Sequence, residues 1–240
     1  MPGKRRAGVM AGIGALALTI AAPQWLAASN KADDIARLKN AAEVFHQVMA
    51  TPDKGIPEEI LKGSECLAII PGAKKGAIGL GANYGKGVAM CKIGKAWGPP
   101  LFITIGGGSV GFQLGIQSSD IVMVFGNRSQ LDSLLSSKFR IGADAAAAAG
   151  PVGRHVEAGT DIKLNSEILT YGRSKGAFAG VSISGAVVQP DTTGNEAMYG
   201  ENTNTHNILS GKGVKMPPEA EPLIRELNRN PVTDPKKMGA

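Results

Sequence analysis

The residues that first suggest chemistry form the run Gly106-Gly107-Gly108-Ser109-Val110-Gly111-Phe112-Gln113-Leu114-Gly115. Gly106, Gly108 and Gly111 fit the dinucleotide fingerprint G-x-G-x-x-G, and Gly107, Ser109 and Gly111 fit the nucleophile elbow G-x-S-x-G. Either motif needs a helix to start at the glycines, so that its N-terminal amides cradle a phosphate or help form an oxyanion hole. The residues after the glycines alternate instead. Val110, Phe112, Leu114 and Ile116 share one parity and Gly111, Gln113, Gly115 and Gln117 the other, which is the period of a strand. A helix here would also carry two interior glycines, at about 1 kcal/mol each. The run therefore reads as a glycine-faced strand whose glycines permit a close approach or a turn. A serine hydrolase built on Ser109 is kept as a lesser alternative. Asp120, Asp144 or Asp161 with His155 or His206 would fill the order Ser, Asp, His, but with no local signature.

Metal and phosphate chemistry find less support. His46, His155 and His206 show no ligand spacing, and no D-x-[DN]-x-[DN]-G loop joins the aspartates, which read as turn residues or ion-pair partners. The segment from Gly81 to Gly87 lacks the spacing G-x-x-x-x-G-K-[ST], with Gly87 where Ser or Thr should stand. No metal, cofactor or enzymatic activity is expected. What survives is charge. Lys74, Lys75, Lys86, Arg154, Arg173 and Lys175 fall in expected turns; gathered at one end of a β domain, they would form a site for anionic headgroups. The alternative is six separate solvated charges.

The elements that must position these residues follow from periodicity. Residues 33–49 place Ile35, Leu38, Ala42, Phe45 and Val48 on one helical face, with Asp33 and Asp34 at its positive end. Lys31, Arg37 and Lys39 flank that stripe, so the helix suits either a membrane surface or a core. A short helix is expected over 57–62, with Gly63 as its stop. Strands are expected at 66–70, ended by Pro71-Gly72, at 77–84, and at 88–93 after a Gly85-Lys86-Gly87 turn, forming a three-strand meander. Further strands are expected at 101–105, 110–116, 121–125, within 139–150, at 167–171 and, as one long strand, at 177–188. Ser129-Gln130-Leu131-Asp132 reads as a capping box opening a helix with Leu131, Leu134 and Leu135 inward, and a terminal helix is expected over 219–227. The fold class is α+β: a mainly antiparallel, Gly-rich β core, barrel-like if it closes, with an N-terminal amphipathic helix and a few short covering helices.

Length and address complete the sequence reading. A chain of 240 residues suits one domain, and its 33 glycines lack a collagen period and fall between apolar residues. Lys4, Arg5 and Arg6 precede an apolar run over 7–22, and Ala27-Ala28-Ser29 supplies small residues, the pattern of a signal peptide cleaved near residue 29. The expected destination is the periplasm or cell envelope. Losing those three basic residues would reduce a net charge of +6 by three units. So mild a balance, with few aromatics, gives no case for a nucleic-acid partner. Cys66 and Cys91 are the only cysteines. They either form a disulfide, closing a loop of about 25 residues for about 3 kcal/mol, or stay as two buried thiols.

Several segments together resemble one known family. They are Ile69-Ile70-Pro71-Gly72-Ala73-Lys74-Lys75-Gly76, Tyr84-Gly85-Lys86-Gly87, Trp97-Gly98-Pro99-Pro100, Gly106 to Gly115 with Gln117-Ser118-Ser119-Asp120, Gly150-Pro151-Val152-Gly153-Arg154, and Tyr171-Gly172-Arg173-Ser174-Lys175-Gly176-Ala177-Phe178-Ala179-Gly180. In order and content they are similar to the SYLF lipid-binding domain, over residues 32–209, with 210–240 as a C-terminal extension. The resemblance implies a non-enzymatic module. Eukaryotic members are associated with phosphoinositide binding, and some with actin filaments. This chain departs from them in its export signal and in lacking a FYVE-like or SH3-like domain. The expectation carried over is binding of anionic phospholipid at a membrane surface of a bacterial envelope, with an envelope protein partner as the alternative. Lys74, Lys75, Lys86, Arg154, Arg173 and Lys175 are the expected headgroup contacts.

Overall fold

The computed structural model describes residues 31–50, 55–78, 80–110, 115–136, 147–151, 168–174, 177–180 and 186–229. Its centre is a long antiparallel hairpin of β1 (Cys66–Ile78) and β2 (Leu80–Ile93). β5 (Gly115–Phe125) pairs with the free side of β1, and β4 (Leu101–Val110) with the free side of β2. β7 (Ile168–Ser174) extends the sheet beyond β5, and β9 (Val187–Pro190) extends it beyond β4. β6 (Ala147–Ala149) runs parallel to β7, β8 (Ala177–Gly180) pairs antiparallel with it, and β3 (Ala96–Trp97) pairs with the end of β2. The strand order is β6-β7-β5-β1-β2-β4-β9.

The sheet curls without closing into a barrel. Gly180 of β8 and Val187 of β9 lie on opposite sides of this order. Seven peptide steps reach at most about 25 Å, less than the roughly 29 Å that six strand spacings take across a flat sheet. The connection therefore demands strong twist and curvature.

Both faces of the central strands are buried, which explains their unbroken apolar runs. On one face Leu67, Ile69, Val88, Met90, Phe102, Val122 and Val124 pack beneath α1 (Lys31–Met49) and α6 (Glu221–Asn228). On the other, Ala68, Ile70, Ala89, Ile103, Met123 and Phe125 meet Leu131 of α3 (Arg128–Ser136) and Ile208 and Leu209 of α5 (Thr205–Ser210). α2 (Glu58–Gly63) contributes Ile60, and a 3-10 turn at Pro218–Ala220 leads into α6. α1 thus covers a core: Leu38, Ala41, Ala42, Phe45 and Val48 are buried under it. His46 Nδ1 and Glu226 Oε2, 2.9 Å apart, tie α1 to α6. Among the described residues no helix is long and apolar enough to cross a membrane.

The three-strand meander is corrected to one long hairpin, and glycine is the reason. Gly72, at φ +57°, permits a bulge between Ile70 and Ala73, and β1 continues past Pro71-Gly72 rather than ending there. Gly85 and Gly87 lie in the interior of β2, where a Cβ on Gly87 would stand 2.3 Å from the Ile69 carbonyl oxygen. They mark close packing under the bulge, not a turn. Likewise the long strand expected over 177–188 is two strands on opposite sides of the sheet, with 181–185 outside the described residues. The separate strand expected over 110–116 divides between the ends of β4 and β5, and residues 111–114 lie outside the described residues. Of the strand expected within 139–150, the structure describes β6.

Helix α3 starts two residues earlier than the expected capping box would place it, with a different cap. Asn127 Oδ1 accepts from the Gln130 amide and Gln130 Oε1 accepts from the Asn127 amide, a reciprocal box in which Ser129 only donates to Asn127. α4 (Thr192–Tyr199) has too polar a sequence to show an apolar stripe. Asp191 caps it, and the Asn195 side chain both donates to the Phe102 carbonyl and accepts from the Phe102 amide, extending the β4 ladder past the end of β9.

Candidate functional site

The bulge in β1 decides which charges share a face. From Ile69 to Lys74 the chain advances five residues while β2 advances four, from Val88 to Tyr84. That extra residue puts Lys74, rather than its neighbour, at the register position shared with Ile69. Lys74 stands opposite Tyr84 on β2 and Ser118 on β5, and Lys86 lies two residues further along β2 on the same face. This is the face that α1 covers, but Lys74 and Tyr84 lie beyond the covered part. Lys74 and Ser118 are exposed, Tyr84 is 54% exposed and the Lys86 side chain 41%. Asp120 and Arg173 pair across β5 and β7 on the same face, since their strand neighbours Val122 and Tyr171 belong to the core beneath α1.

Three of the expected headgroup residues, Lys74, Lys86 and Arg173, therefore share one sheet face, all in strands rather than turns. Lys75 holds the alternate register position, opposite Asn83 and Gln117. Arg154 and Lys175 lie outside the described residues. Two of the three cations already have acidic neighbours. Arg173 binds Asp120, and Lys86 Nζ lies 3.3 Å from Asp191 Oδ2.

Lys86 leads into a charge cluster that periodicity alone does not show. Arg37 reads in the sequence as a residue flanking the apolar stripe, yet it is buried. Its Nη2 is 2.8 Å from Asp34 Oδ1 and 2.9 Å from Asp191 Oδ2, and its guanidinium stands 5.1 Å from the Phe102 ring centroid. Burial alone would raise the Asp191 pKa. The Arg37 hydrogen bond and charge, the Gly194 amide and the Lys86 charge together bring it below the ordinary carboxylate value. The cluster fixes the start of α1 to α4 and β2, at the border of the exposed lysines. The signals that could have revealed it are the i, i+3 spacing of Asp34 and Arg37 and the capping position of Asp191.

The glycine run lies in β4, where Gly106, Gly107, Gly108 and Ser109 pair with Tyr84, Asn83, Ala82 and Gly81. No helix opens within that described stretch, so the context that either glycine motif requires is missing there. His206 belongs to α5, whose C-terminal Gly211 approaches Ile93 and Pro99. That is the Leu101 end of β4, about 26 Å along the strand from Ser109. His155, Asp144 and Asp161 lie outside the described residues. Asp120 is the ion-pair partner that one sequence reading expected. Among the described residues no group of three or more His, Cys, Asp or Glu could hold a metal ion. Cys66 and Cys91 face each other across β1 and β2 with Cα atoms 4.0 Å apart, joined as a disulfide in the core.

A curled, helix-covered sheet presenting paired and free cations on one face defines the class of module. The family described as Ysc84, Las17-binding protein actin regulator, matches residues 106–230. Protein YSC84 of Saccharomyces cerevisiae is 35% identical over 179 residues, covering 73% of this chain and 38% of the yeast protein. LAS seventeen-binding protein 3 of the same yeast is 34% identical over 179 residues, 39% of its length. SH3 domain-containing YSC84-like protein 1 of Rattus norvegicus is 30% identical over 180 residues, 74% of this chain and 52% of that protein. The chain belongs to the Ysc84 family, which is the SYLF domain family. It spans about half or less of the length of these relatives. A non-enzymatic binding or interaction role fits this family.

Proposed function

We propose that this chain binds anionic phospholipid headgroups, without catalysis, at a membrane surface of a bacterial cell envelope. The observation that carries the reading is the group Lys74, Tyr84 and Lys86: two exposed cations flanking an exposed aromatic on the part of the sheet that α1 leaves uncovered. Such a group suits the headgroup boundary, where ammonium groups meet phosphate and an amphipathic ring sits between water and acyl chain. Arg173 adds a charge shared with Asp120; Lys75, at the alternate register position, is left out of this face, and Arg154 and Lys175 stay in the proposal on their charge alone. Export is supported by the basic-then-apolar start of the chain and by the Cys66–Cys91 disulfide, which belongs with oxidising compartments.

Co-sedimentation of the purified protein with neutral and with anionic vesicles tests the reading. Binding to anionic vesicles that declines with salt is expected; equal, negligible binding to both overturns it. A second reading, an envelope scaffold for a protein partner, is favoured by relatives named as LAS seventeen-binding proteins. It predicts a cross-linked partner whose association is insensitive to added lipid.

A further inference from the structure

At the C-terminal end of α1, remote from the charged sheet face, α1, α2, β1, β2, β3 and α6 line an open-sided cavity of about 180 Å³. Phe45, Leu67, Trp97 and Leu227 give it an apolar lining. Among the described residues, Lys62, Lys92, Lys95 and Arg229 also line it, against one acid, Glu58. Two of these cations have acids at hand: Lys62 Nζ is 2.6 Å from Glu58 Oε1, and Arg229 Nη1 is 3.2 Å from Glu226 Oε1. Lys92 is held differently. Its Nζ donates to the carbonyls of Leu61 and Lys62, at 3.0 and 3.2 Å, and stands 5.3 Å from the Trp97 ring centroid. Two carbonyls take two of the three donors of an ammonium. Burial lowers the Lys92 pKa despite the charge of Glu65, so this ammonium is short of solvation. Lys95 sits exposed in the turn between β2 and β3.

We infer that this cavity binds a single-chain anionic amphiphile of the fatty-acid class, its carboxylate held by Lys92 and Lys95 and its chain laid against Trp97, Phe45 and Leu227. The sign of the ligand follows from the lining charges, which are complementary to an anion and leave a neutral head uncompensated. Its size follows from the volume. An apolar cavity of about 150 Å³ holds a benzene-sized group, so this one takes a short stretch of one chain and not the paired chains of a phospholipid. The site is separate from the sheet face and does not rest on vesicle binding, because a monomeric amphiphile offers no membrane surface.

The test uses indole fluorescence. The chain has two tryptophans, Trp25 and Trp97, so the full chain carrying Trp25→Phe reports from the cavity alone. Titration with octanoate below its micellar range should give a saturable blue shift, whereas octyl glucoside and acetate should give none. Lys95→Ala, an exposed turn substitution, should weaken octanoate binding about threefold or more, and Lys92→Met with Lys95→Ala at least tenfold, with far-UV circular dichroism unchanged. An equal response to octyl glucoside or to acetate would overturn the inference. So would octanoate affinity unchanged by Lys95→Ala, or a tighter saturable response to a short peptide of one leucine and two glutamates, which would assign the cavity to a protein segment.

Discussion

Asp120 Oδ2 lies 3.1 Å from both the Nε and Nη2 of Arg173, while its Oδ1 accepts a 2.9 Å hydrogen bond from the Gly72 amide. One carboxylate thus ties β7 to the bulge in β1, and that bulge selects Lys74 for the exposed face. The charge of Arg173 is balanced by Asp120 and that of Lys86 in part by Asp191, so the free charge of the face rests mainly with Lys74.

Asp120→Asn keeps an acceptor for Gly72 but removes the counter-charge of Arg173. The pair is partly exposed, so urea unfolding should show a loss of about 1 kcal/mol. Affinity for anionic vesicles should rise about fivefold, since one basic residue near such a surface contributes about 1 kcal/mol. Unchanged vesicle affinity would remove Arg173 from the binding face.

The cluster of Arg37, Asp34 and Asp191 should govern stability rather than binding. Arg37→Met leaves two buried carboxylates without their guanidinium and should cost about 3–5 kcal/mol by urea unfolding. Arg37→Lys should fall between that variant and the parent, since the ammonium keeps the charge but sits on a shorter side chain than the guanidinium whose Nη2 reaches both acids. The pH dependence has a definite sign. Because the Asp191 pKa is depressed in the fold, its stabilisation is fully present above the ordinary value of 3.8 and is lost as pH falls through the lower folded value. Urea midpoints of the parent should therefore drop below about pH 4, and Arg37→Met should shrink the Asp191 contribution to that drop.

Gly87→Ala tests the packing account of the β2 glycines. Its Cβ would lie 2.3 Å from the Ile69 carbonyl oxygen, a backbone atom that cannot rotate away. A loss of about 1–3 kcal/mol is expected in a thermal or urea melt. A neutral outcome would restore Gly85-Lys86-Gly87 as a turn.

Legibility of the chain divided along physical lines. The α1 stripe, the strand start at Cys66 and Leu131 of α3 were readable because each buries apolar side chains at the period of its element. Pro71-Gly72 and Gly85-Lys86-Gly87 were misread because glycine marks both turns and close packing, and only the neighbouring strand distinguishes them. The split between β8 and β9 was invisible, since alternation continues through Val181 and Ser182 whichever strand each half pairs with. Of the site, the charge of Lys74 and Lys86 was legible, but their shared face was not. It depends on one extra residue in a bulge. Arg37 was hidden because an amphipathic pattern assigns cations to solvent unless their acids are known to converge.

Cys66 and Cys91, 25 residues apart in sequence, make a further expectation. Alkylation of the unreduced, denatured protein should leave both unmodified. The Cys66→Ala, Cys91→Ala double variant should lose about 3 kcal/mol of stability, the loop-closure entropy returned to the unfolded chain. Labelling of two free thiols in protein recovered from its native compartment would contradict the oxidised assignment.

The central claim is that exposed lysines on the uncovered sheet face bind anionic lipid. Its most direct measurement is co-sedimentation of the parent and a Lys74→Ala, Lys86→Ala double variant with vesicles of neutral lipid alone and of neutral lipid mixed with phosphatidylglycerol. The parent should bind the anionic vesicles and release them as salt rises. The double variant should bind about fivefold to 30-fold more weakly, the effect of one to two charges at about 1 kcal/mol each, since Asp191 already balances part of the Lys86 charge. Parent and double variant binding alike, or neither preferring anionic over neutral vesicles, would contradict the account.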